Sequence, residues 1–193
     1  AVHKLGANYM QNKLYTYSMT TLVLFVTGCV NPTEKSVFSK EELLFNSDSL
    51  LSLYPNDGEL LKSIVSEKTE YANKKNDINI YKEILKIDSK NPMANYRILM
   101  DEGLKYHRKD YKNGQWDAIQ SFSRASTFID TVGEPYYWMG KAYEKKDEMD
   151  YELPLESYNR SLELYLTDDM RLKVSQSIEG LIKRKKTYED FWK

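Results

Sequence analysis

From residue 39 onward, apolar positions recur at spacings of three and four, and no run of five or more residues alternates strictly between apolar and polar. Such a period predicts amphipathic helices and no sheet. The breaks in it place helices over residues 40–54, 58–74, 77–88, 93–110, 115–130, 134–147, 153–166 and 169–190. Local start signals agree. Ser39-Lys40-Glu41-Glu42 has the capping-box form, Ser at the N-cap and Glu three residues on. Prolines stand at 32, 55, 92, 135 and 154, and none needs a helix interior, where one costs about 3 kcal/mol. Pro92 follows Asn91, a good N-cap, and Pro135 follows Gly133-Glu134, so both suit a first helical turn. The fold class expected is all-α.

The helix ends repeat along the chain. The string at Leu50–Asp57 returns 34 residues later at Ile84–Asn91, then 41 later at Ala125–Asp130, then 36 later at Ser161–Leu164. A step near 34 suits an array of helix hairpins. In the third unit Tyr136, Met139, Gly140 and Tyr143 stand where the first helix of a tetratricopeptide repeat has its aromatic, Leu, Gly and Tyr. Tyr158 and Ser161 match the aromatic and small residue of the second helix. The second unit supplies Ala118, Phe122 and Ala125, with Tyr96 and Leu99 in its first helix and Met100 at the glycine position. In the first unit Tyr81, Ile84, Leu85 and Ile87 fit, while Asp77 replaces a small apolar residue.

On these residues the chain from about 50 to 166 resembles a tetratricopeptide-repeat protein. The resemblance implies antiparallel helix hairpins stacked as an α-solenoid. One hairpin buries one face of each helix, and stacking buries the rest. About six extra residues near 104–115 and two near 147–153 depart from the pattern and bear on the loops. Residues 169–190 suit a C-terminal capping helix, with Met170, Val174, Ile178, Leu181 and Ile182 as its apolar stripe. Asp168 or Asp169 is expected at its N-cap. Lys183, Arg184, Lys185 and Lys186 fall near its C-terminus, where the macrodipole favours cations. The alternative for these four is a basic patch for anionic lipid headgroups or a charged partner.

Ahead of the repeats, Met19 to Val26 is a short apolar run that leads into Thr27-Gly28-Cys29. With Met10 as a start and Lys13 as a thin basic region, residues 1–28 resemble a bacterial lipoprotein signal peptide with its lipobox. Residues 1–9 read as an upstream extension or a fragment edge. An uncleaved membrane anchor is the alternative, on a charge-free stretch of marginal length, 14–33. The resemblance implies cleavage before Cys29, diacylglycerol on its thiol and usually a third chain, palmitate in kind, on its amino group. Two or more chains hold a protein on a membrane persistently. Residues 29–38 read as a lipidated tether and 39–193 as the repeat domain. Val30 after Cys29 resembles, in enteric-type bacteria, sorting to the inner, periplasmic leaflet of the outer membrane; in a host with one membrane the protein faces outward instead.

Composition narrows the chemistry. Cys29 is the chain's one cysteine, so no disulfide closes within it. Setting Lys4 and Lys13 aside, residues 29–193 carry 26 basic and 29 acidic groups, a net of −3, too balanced for nucleic acid. Residues 169–193 carry seven basic and four acidic groups. His107 is the only histidine after His3, which disfavours zinc sites and histidine-based nucleophilic catalysis. The glycines form no phosphate loop. Paired carboxylates at 41–42, 101–102 and 168–169 fit caps and solvated faces. The expectation is a non-enzymatic adaptor without cofactor or metal, bound to an envelope protein or peptide. The alternative is an accessory lipoprotein of an envelope transporter or cell-wall hydrolase. In the repeat family the first helices line the binding surface. That register assigns Lys62, Arg97, Asp101, Tyr137 and Lys141 to it, with Arg97 and Lys141 holding a peptide carboxylate.

Overall fold

Helices account for about four fifths of the residues that the computed structural model describes, 38–109 and 112–193. In chain order they are α1 (Lys40–Phe45), α2 (Ser47–Leu53), α3 (Gly58–Lys75), α4 (Ile78–Ile87), α5 (Pro92–Arg108), α6 (Lys112–Phe128), α7 (Glu134–Lys146), α8 (Glu152–Glu163) and α9 (Asp168–Phe191). Residues 1–28, Cys29 and the tether up to residue 37 lie outside the described residues. Among the latter no helix is long and apolar enough to cross a membrane.

The starts are set by local chemistry. Ser39 accepts from the Glu42 amide while the Glu42 carboxylate accepts from the Ser39 amide at 2.8 Å, closing the capping box. Asn91 accepts from the Ala94 amide at 3.0 Å, with Pro92 at the first helical position. Asp77 is also a cap: its carboxylate accepts from the Asn79 amide at 2.9 Å, which is why no small apolar residue stands there. Two expectations change. The predicted 40–54 helix is two helices, broken at Asn46, whose φ of −110° and ψ of 17° leave the helical region. Asparagine competes with the helical backbone for its hydrogen bonds, so it is a natural break point. At α9 the cap is Thr167, whose hydroxyl accepts from the Met170 amide, and Asp168 and Asp169 fill the first turn.

Each helix packs on its neighbour in the chain, and the main further contacts are α1 with α3 and α5 with α7. From Ser39 on, the described residues form one unit with a chain-ordered stack of helix pairs. A buried aromatic recurs in the second helix of each pair, at Tyr81, Phe122 and Tyr158, and a buried residue follows three positions on, at Ile84, Ala125 and Ser161. Glycines face two of these rings, Phe122 and Tyr158, and draw the helices together. A Cβ on Gly140 would lie 2.5 Å from the Tyr158 ring, and one on Gly103 would lie 2.4 Å from the Phe122 ring. In the second pair the close approach is thus at Gly103, three residues beyond the Met100 position that the sequence register assigns. Met100 is instead a buried core residue beside Ala118 and Phe122.

Polar pins complete the stack. Thr131 and Gly133, ahead of α7, exchange backbone hydrogen bonds with Tyr165, ahead of α9, both at 2.9 Å. Ser161 donates to the Gly133 carbonyl at 2.8 Å. Lys68 is 3% exposed, and its ammonium donates to the Leu44 carbonyl at 3.0 Å and the Glu83 carboxylate at 2.7 Å. It thereby holds the C-terminal end of α1 against α3 and α4.

Candidate functional site

The bridge between Val132 and Tyr165 is parallel, so α7 and α9 set out in the same direction from adjacent points. They do not pack extensively on each other; α8 packs on both. One stripe of α7, Glu134, Tyr137, Lys141 and Glu144, lines the gap. A stripe of α9, Met170, Lys173, Ser177, Gly180 and Arg184, lines it from the other side. Both stripes step by three and four, the spacing of one helical face.

The gap holds two hollows. The larger, about 460 Å³, is walled by Tyr137, Lys141 and Glu144 on α7 and by Lys173, Gln176, Ser177, Gly180, Leu181 and Arg184 on α9. The smaller, about 290 Å³, lies at the start of both helices and adds Met93, Tyr96 and Arg97 from α5. Gly180 has nothing within 4 Å of its Cβ direction, so the α9 wall is open there.

Tyr137 lines the larger hollow, and further aromatic rings back it from behind. Tyr137 contacts Trp138 at a centroid distance of 5.1 Å and Tyr158 at 6.0 Å, and Trp138 stacks on Phe122 at 6.4 Å. These rings join the groove to the glycine-aromatic contacts beneath it. The Tyr158 hydroxyl donates to Glu144, which also accepts from Arg184 and, at 3.4 Å, from Lys141. Burial pushes the Tyr158 phenol well above its ordinary range, and the bond to Glu144 adds to this. Glu144 is a shared counter-ion of Lys141 and Arg184, while Lys173 pairs with Asp169 one turn back on α9 at 2.5 Å, so three cations face two carboxylates around the larger hollow. A carboxylate entering the larger hollow therefore meets excess positive charge.

The five groove residues assigned from sequence separate here. Tyr137 and Lys141 share the larger hollow, while Arg97 lines the smaller one, so Arg97 and Lys141 do not converge in a single hollow. Arg97 has a buried Nε with no hydrogen-bond partner and its guanidinium 5.8 Å from the Tyr96 ring centroid. The Tyr96 hydroxyl donates to Glu134 at 3.2 Å, and burial, then Glu134, holds its pKa up. Lys62 is paired with Glu59 at 3.2 Å and Asp101 with Lys105 at 2.5 Å; neither lines these hollows. The residues missed from sequence are Lys173, Gln176 and Ser177, because α9 reads there as a cap rather than a wall. The polar stripe flanking Gly180 was the available signal.

Lys183 to Lys186 do not end their helix. It continues to Phe191, and its last turn holds no basic residue. The macrodipole acts within the last turn, so it does not account for the whole run. Arg184 belongs to the groove, whereas Lys183, Lys185 and Lys186 form no ion pair among the described residues. His107 is a packing group: its Nδ1 is 2.7 Å from the Gln115 side-chain oxygen, and its ring meets Trp138 edge-on at 5.8 Å. Among the described residues no three His, Cys, Asp or Glu side chains are gathered to hold a metal. No protein-family model matches the chain, and no curated protein matches it.

Proposed function

We propose that this chain is a lipid-anchored, non-catalytic adaptor of a bacterial cell envelope that grips an extended peptide segment of a partner protein between α7 and α9. The observation that carries the reading is the pair of facing stripes on two parallel helices, with Tyr137 in the wall backed by Tyr158 and with Lys141, Lys173 and Arg184 in the lining. The recurring glycine-aromatic pairs support the tetratricopeptide-like assignment. From Glu134 to Glu144 the groove runs ten residues of helix, about 15 Å at ~1.5 Å per residue. That length takes about four or five residues of extended chain. An acidic side chain or C-terminal carboxylate lies near Lys141, Lys173 and Arg184, and an apolar side chain fills the smaller hollow beside Met93 and Met170.

Peptide-array binding of wild type and of Lys141→Glu/Lys173→Glu tests the groove. Circular dichroism checks that the reversed pair still folds, since Lys141 and Lys173 pair with Glu144 and Asp169, and acidic peptides weaken more than about tenfold. An unchanged peptide profile would remove the groove assignment. The anchor has its own test. Cys29→Ser abolishes palmitate labelling and processing if Cys29 is acylated; retained labelling contradicts it.

A further inference from the structure

Leu181 is the last buried residue of α9, and the helix continues for ten residues to Phe191 with no buried side chain. A helical extension without packing gains little stability of its own. Its side chains are nevertheless costly ones to leave in water. Phe191 is 78% exposed, Trp192 69%, Ile182 52% and Tyr188 41%. Across the turn between α7 and α8, Met149 is 50% exposed. Rings gather here: Tyr188 lies 6.2 Å from Tyr151 and 6.1 Å from Trp192, which meets Phe191 at 5.3 Å. A hollow of about 500 Å³ opens between Met149, Tyr151, Tyr188 and Phe191, with Lys183 and Arg184 at its rim.

The charges around these rings are positive. Residues 182–193 hold five basic and two acidic groups. At about 100° per residue, Arg184, Tyr188 and Phe191 share one face, Lys183 and Lys185 flank it on either side, Asp190 lies beside Lys183 and pairs with Lys193 at 3.5 Å, and Ile182 and Lys186 lie on the opposite side. Glu148 is the acidic group at the hollow.

We propose that this end of α9 seats on an anionic lipid bilayer, rings at the acyl boundary and lysine ammoniums on lipid phosphates. The composition selects a membrane over a protein. Lys141 and Lys173 of the groove are each paired with a carboxylate, whereas Lys183, Lys185 and Lys186 form no ion pair among the described residues; such lysines are depleted at protein interfaces, and membrane-interfacial segments combine Trp, Tyr and Phe with lysines that extend to the headgroups. The contact is peripheral and separate from the Cys29 lipid; it shares Arg184 with the groove, so the lysines and the rings, not Arg184, carry it.

Cosedimentation of the full chain with vesicles tests it, using phosphatidylcholine alone and an equal mixture with phosphatidylglycerol. The apolar stretch before Cys29 is common to all variants, so the gain on adding anionic lipid isolates α9. Wild type prefers the anionic vesicles, and salt removes the preference. Lys183→Gln/Lys185→Gln lowers anionic binding about 25-fold, about fivefold per lysine. Phe191→Ser/Trp192→Ser lowers it as well, and circular dichroism shows both variants folded because all four side chains lie outside the core. Unchanged binding by either variant overturns the proposal. So does a wild type indifferent to lipid charge, including the case in which the variants instead lose a protein partner.

Discussion

Gly140→Ala tests the packing on which the stack rests. The added methyl would sit 2.5 Å from Cε1, 2.7 Å from Cδ1 and 2.9 Å from Cζ of Tyr158. All three are ring atoms of a fully buried side chain. The ring cannot swing aside cheaply, because its hydroxyl is tied to Glu144 and its face meets Tyr137. Overpacking of this kind costs about 1–3 kcal/mol, and sub-3 Å contact with three ring atoms argues for the upper end. Alanine's better helix propensity offsets about 1 kcal/mol. The net is a loss of about 2 kcal/mol, or a melting temperature roughly 4–8 °C lower for a domain of this size. Gly180→Ala is the internal control: nothing lies within 4 Å, so it stabilises by up to about 1 kcal/mol. Thermal melts by circular dichroism read both. A Gly140→Ala protein that melts at or above wild type, or a Gly180→Ala protein that falls as far, refutes the close-approach argument.

Further outcomes follow from the polar pins. Lys68→Met keeps the stem but loses the bonds to Leu44 and Glu83; the cost is about 2 kcal/mol, and hydrogen exchange quickens in α1 before the rest of the chain. Ser39 holds the Glu42 carboxyl below its ordinary range. That contribution is present above the unfolded pKa and is lost as pH falls through the folded one, so α1 frays in acid and Glu42→Gln removes the pH dependence. Burial raises the phenols of Tyr96 and Tyr158. Their contribution is complete below about pH 10 and declines as pH rises beyond it, so alkaline melts fall steeply, and less steeply in Tyr158→Phe.

Features written within a few residues were legible from sequence. The caps at Ser39 and Asn91 are such features, and Gly140 was placed by Tyr136, Met139 and Tyr143 around it. Gly103 lacked that frame, because the insertion after it removes the reference and Met100 lies three residues away on the same helical face. The break at Asn46 was hidden because Leu43 and Leu50, both buried, are seven apart, as one straight helix would have them. Lys68 reads as a solvated lysine until α1 and α4 bring a carbonyl and a carboxylate to it. The groove was half legible for a similar reason. Tyr137 and Lys141 stand at the expected first-helix positions, but their facing wall belongs to α9, which lies outside the repeat pattern.

The most direct test of the groove is a photo-crosslinking residue placed in the living cell at Gln176, which lines the larger hollow, and separately at Glu179, which does not. If the groove grips a peptide, adducts from position 176 map to short extended segments of a partner and vanish in the Lys141→Glu/Lys173→Glu background. Equal adducts from both positions, or adducts at 176 indifferent to those charges, would contradict that grip.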